Sequence, residues 1–202
     1  DDLNLSVSAR KPVVDRLGRF LTERLQEGYR VILFSFSRSL RRLTPLTRDS
    51  WRIMAALDDL KHTAFEGMMV RAQRDGILRD MGRPVAQERG EMGDAAREAI
   101  FDDTRSLASE LTVLERSLLE ALTTLVDSLS GVPGRKVVLF VSQGIPTDPN
   151  ADLFVEFGER FTGGQGQSVL SPENRLMHPV RVVALHANAS RSAKARGIET
   201  YY

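Results

Sequence analysis

The chain has no cysteine. Disulfides, thiolate metal sites and cysteine nucleophiles are thereby excluded, whatever the compartment. It also lacks a surplus of either charge: 28 Lys and Arg stand against 27 Asp and Glu, a net charge of +1. That balance gives no electrostatic case for a nucleic acid or an anionic membrane as partner. No apolar run is long enough to span a bilayer, and no signal peptide is visible. His62, His178 and His186 are far apart and show no metal-ligand spacing. Ser6, Ser35, Ser37 and Ser142 lack the Gly-x-Ser-x-Gly context of a hydrolase nucleophile. The glycine-rich stretch Gly163 to Gly166 lacks the Lys-Ser/Thr of a phosphate loop. An enzyme on a Rossmann-like sheet is thus left without a nucleophile–base set or a cofactor fingerprint. The sequence does not start with Met, and Asp1-Asp2-Leu3 reads as the end of a strand. The earlier part of that strand is expected upstream, and with it any leader.

The stretch from Gly134 to Pro146 is a turn, a continuous apolar run and a polar loop. An apolar run without alternation fits a strand buried on both faces, as in a parallel sheet between helices. Ligands in such sheets bind at the carboxyl ends of the strands, which here means Ser142, Gln143 and Gly144. A second apolar run, Val31 to Phe36, precedes a short strand over Leu40 to Leu46. The last strand covers Ile198 to Tyr202. Between the strands lie helical patterns. The first begins near Pro12, carries Val13, Val14, Leu17, Phe20, Leu21 and Leu25, and ends at Gly28. Asp49 or Ser50 caps the next, with Ile53, Met54, Leu57 and Leu60 on one face. Residues 62 to 106 are polar, rich in Met and Arg and broken by glycines, and read as a mobile helical insertion. The strongest periodicity follows: Leu107, Leu111, Leu114, Leu118, Leu122, Leu125 and Leu129 define one helix face. After the central run come a turn at 147–150, a helix with Leu153, Phe154, Phe157 and Phe161, a glycine loop, and a helix over 179–195. Strands alternating with helices argue for one domain over 1–202 with a mostly parallel, Rossmann-like α/β sheet and helices on both faces.

With this order of elements, the chain resembles the von Willebrand factor type A (VWA) domain, in its bacterial VWFA-related group. The resemblance is carried by Asp2-Leu3-Asn4-Leu5-Ser6, by Arg30 to Phe36 with Pro45-Leu46-Thr47, and by Gly134 to Pro146. It covers most of the chain, least of all 62–106. It implies a metal-ion-dependent adhesion site, in which an Asp-x-Ser-x-Ser loop, a Thr and an Asp hold Mg²⁺ with one position open for a partner's carboxylate. Oxygen-only ligands suit that ion. The implied ligands are Asp2, Asn4, Ser6, Thr112 and Gln143, with Thr104 competing for the place of Thr112. Asn4 stands where the pattern has Ser, and Gln143 where it has Asp. Asp2 is then the one carboxylate, so the site is degenerate and its Mg²⁺ weakly held. The resemblance further implies a non-catalytic module binding another protein, exported to the periplasm or cell exterior.

Each feature also has a plainer reading. Asp2, Asn4 and Ser6 can cap a helix or order its turn, and Ser142-Gln143-Gly144 can be a strand-to-helix turn. The leucine face is core packing or a partner-binding helix. Arg38, Arg41, Arg42, Arg48 and Arg52 form a solvated face or a site for an acidic partner. With the metal site dead, the chain is a structural or assembly domain whose contacts come from the helical insertion.

Overall fold

A computed structural model describes residues 1–87, 89–146, 151–161 and 198–201 of the chain. Helices dominate. In chain order they and the strands are α1 (Val7–Gln26), β1 (Phe34–Phe36), β2 (Leu40–Arg42), α2 (Ser50–His62), α3 (Glu66–Met81), α4 (Pro84–Gln87), α5 (Glu91–Ser128), β3 (Lys136–Leu139), α6 (Ala151–Phe161) and β4 (Ile198–Tyr201). The turn at 147–150, the glycine loop, the helix over 179–195, His178, His186 and Tyr202 lie outside the described residues.

The expected Rossmann-like parallel sheet with helices on both faces does not form. Among the described residues the strands make two separate ribbons: β1 with β2, antiparallel, and β3 with β4, parallel. The central apolar run misleads because its burial alternates. In β3, Val137 and Leu139 are 49% and 43% exposed, so one face of that strand is half open among the described residues. The run from Val31 shrinks to a three-residue strand, with Val31 making only an isolated bridge to Thr47. Between the ribbons, where a central strand would enter, Asp1 to Asn4 turn instead of extending.

The helices follow their apolar stripes. Ser6 caps α1, its hydroxyl accepting from Ala9 N at 3.2 Å, so the helix starts ahead of Pro12 and carries that proline inside it. Asp49 caps α2 by accepting from Trp51 N and Arg52 N. Val14 and Leu21 of α1 pack on Ile53 and Leu57 of α2 as a cluster of their own. The larger core gathers around α5. The leucine face buries Leu107, Leu111, Leu114 and Leu118 against Ile77 and Met81 of α3, Phe36 of β1, Leu153 and Phe157 of α6, and Leu3. Its role is therefore core packing. The segment expected as a mobile insertion is part of that core: α3 and α4 pack on α5, which runs without a break for 38 residues from Glu91.

One charge sits on the leucine face. Glu115 lies four residues after Leu111 and three before Leu118, which brings it inward; it is 1% exposed, and its Oε2 has no hydrogen-bond partner. Burial raises its pKa from 4.5 to about 8. The carboxyl is therefore mostly protonated in the folded chain at neutral pH. Below pH 4.5 it is protonated folded and unfolded alike. Between 4.5 and about 8 the unfolded chain loses the proton and the folded chain keeps it, so stability falls as pH rises, and above about 8 the loss is complete. At neutral pH the penalty is roughly 3 kcal/mol, since every tenfold change in proton affinity between the two states is worth about 1.4 kcal/mol. Glu115→Gln should melt several degrees above the parent at pH 8, with the gap closing by pH 4.5, as followed by circular dichroism. A gap independent of pH would show that the carboxyl is not held neutral by the core.

Candidate functional site

The N-terminal turn lies where both ribbons, α1 and α3 meet. Asp2 N donates to Phe36 O at the end of β1 (2.7 Å), and Asp1 N donates to Val141 O beyond β3 (3.0 Å). Asp1 orders the turn: its carboxylate accepts from Leu3 N, Asn4 N, Asn4 Nδ2 and, at 2.5 Å, from Ser142 Oγ. Gln143 Oε1 accepts from Ser6 N at 2.6 Å. Asp2, Asn4, Ser6 and Gln143 are therefore gathered at one end of the two ribbons. Thr112 and Thr104 do not join them. Both are buried in α5 and donate to carbonyls of that helix, those of Ala108 and Ile100. The threonine brought to Asp2 is Thr63, at the end of α2, and the two line one cavity.

The polar centre of this cavity is Arg10, a residue the motif reading passed over. It had a signal: Arg10, Val14, Gly18 and Leu21 fall at helical spacing on the buried face of α1. Its side chain is 5% exposed, and its Nη2 lies 3.3 Å from Asp2 Oδ1. Nη1 donates to Thr63 O at 2.7 Å, and the guanidinium sits 4.0 Å from the centre of the Phe65 ring. Burial pushes its pKa below the ordinary value, and Asp2 offsets part of that. Asp2 Oδ2 accepts from the buried Ser35 hydroxyl at 2.8 Å. The cavity, about 180 Å³, is completed by Ser37, Ser39, Arg41, Leu60 and Ala64.

These residues do not fit Mg²⁺. The carboxylate of Asp2 faces a guanidinium and a serine hydroxyl. Asn4 and Ser6 serve Asp1 and the α1 cap, and Gln143 serves Ser6 N. A cation at Asp2 would meet the positive charge of Arg10. Among the described residues no group of three His, Cys, Asp or Glu is placed to hold a metal.

Of the basic cluster, Arg38 bridges Glu66 and Glu110 at 2.6 Å each, Arg52 pairs with Asp49, and Arg41 faces the cavity. The chain matches no family model, no curated protein and no solved structure.

Gly67 holds the turn from the α3 side. Its N donates to Asp2 O at 3.1 Å, and an added Cβ would lie 2.6 Å from Leu3 O. A backbone oxygen cannot swing aside as a side chain does, so Gly67→Ala should shift the turn and destabilise the fold by about 1–3 kcal/mol. Urea unfolding measures this. An unchanged midpoint would mean that α3 and the turn do not pack as described.

Proposed function

We propose that the chain is a non-catalytic binding module that engages a protein partner at the recess around Arg10 and Asp2. One observation carries this reading: Arg10 lines a recess open to the surface, and two donors of its buried guanidinium have no hydrogen-bond partner. The lining includes no His, Cys or Lys, and its one carboxylate, Asp2, is engaged by Arg10 and Ser35. Buried arginines are also frequent anchors of protein interfaces. A second reading, an assembly domain contacting partners through α3 and α5, is favoured by Met69 and Met92, which are 60% and 70% exposed.

Panning a random-peptide library against the folded chain separates the two. Selected peptides should lose on the order of ten-fold in affinity on Arg10→Lys, which keeps the charge and removes the fork, about 1.4 kcal/mol. They should bind a Met69→Ser, Met92→Ser double variant unchanged. Peptides lost on the double variant and indifferent to Arg10→Lys would establish the second reading. Failure to select any peptide would overturn both.

A further inference from the structure

We propose that the recess is a metal-independent receptor for a carboxylate, presented by an acidic side chain of the partner; this rests on the reading of the chain as a protein-binding module. The two donor atoms of Arg10 without hydrogen-bond partners are Nε and Nη2. They lie on the same edge of the guanidinium, the edge that grips a carboxylate with two parallel N–H···O bonds. Nη1, off that edge, is already engaged by Thr63 O. Asp2 is close enough to Nη2 to compensate its charge, yet makes no hydrogen bond to it and is turned toward Ser35. A buried donor pair left open is costly unless something fills it. Arg10 is 4% exposed, and both open donors are shielded from bulk water.

The surroundings favour an anion. Ser35 and Arg41 are direct cross-strand partners in the β1–β2 ribbon. Arg41 is exposed and, with Ser37 and Ser39, lines the cavity on the ribbon side. Arg10 and Arg41 against Asp2 leave the lining one positive charge in excess. The nearby Glu66 is paired with Arg38 at 2.6 Å, a guanidinium it shares with Glu110. The cavity of about 180 Å³ admits a carboxylate group without a bulky body behind it. A divalent cation is not needed, because Arg10 supplies the fixed positive charge.

Calorimetric titration with acetate, in EDTA and with chloride matching the ionic strength, tests the proposal. Acetate should bind saturably. Arg10→Lys should weaken it by about ten-fold, and Arg41→Ser and Ser37→Ala by several-fold each. Methyl acetate, which has no charge, should not bind. Absence of saturable acetate binding overturns the proposal, as does binding that appears only after Mg²⁺ is restored. Inorganic phosphate binding more tightly than acetate overturns the carboxylate assignment. Should Arg10→Lys fail to fold, the Arg41 and Ser37 variants decide, and affinity unchanged from the parent in both overturns the site. Acetate binding in a chain that selects no peptide upholds the carboxylate site and refutes the protein partner. Peptides without acidic residues that need Arg10 uphold the partner and refute the carboxylate.

Discussion

The structure depends on a turn of four residues hydrogen-bonded on three sides. Asp1 and Asp2 reach to Val141 and to Phe36, and the Asp2 carbonyl takes the amide of Gly67. Among the described residues neither ribbon has more than two strands, and a lone pair of strands is marginal in water. Each borrows stability from the helices and from the turn between them. Leu3, next in the chain, is buried in the main core with Phe36, Ile77 and Leu107, so the turn is held by apolar packing as well as by hydrogen bonds. Arg10, one turn into the helix that Ser6 caps, is thereby set against Asp2.

Glu115 and Arg10 are buried in opposite ways. Glu115 is alone in a leucine face, and the core answers by holding it neutral. Arg10 cannot lose its proton in any accessible range, so it must be compensated by a partner charge and by hydrogen bonds. Asp2, the Thr63 carbonyl and the Phe65 ring supply part of that. The compensation is incomplete along one edge, and the incompleteness is the reason to look for a ligand there. Breaking such a pair from one side typically costs about 3–5 kcal/mol, which also makes Arg10 a structural element.

What local pattern encodes was legible. The leucine spacing read as one helix face, Asp49 or Ser50 read as a cap, and a short strand read from Leu40. The sheet was not legible, because joining β1 to β3 is a matter of long-range pairing that neither run specifies. Val137 and Leu139 look like core in sequence and are half open in the fold. Of the recess, Asp2 alone was named from the sequence as a ligand. Asp2, Asn4, Ser6 and Gln143 do converge, through hydrogen bonds that a motif places together by order alone. Thr63 was missed for Thr112 because distance along the chain is a poor guide once α2 folds back on α1 and delivers its last residues to Asp2. Arg10 and Glu115 were not singled out, although each lies on the apolar stripe of its helix. A charge at a stripe position is the sequence signal that carries most information here.

The central claim is that Arg10, and not a bound cation, provides the positive charge that the recess offers to a partner. The Arg10 Nε–H resonance in a proton–nitrogen spectrum reports on it directly. The predicted signal is slow to exchange with water, because Nε is buried; it moves saturably as acetate is added and is unmoved by Mg²⁺. A signal that ignores acetate and shifts with Mg²⁺ would contradict the claim.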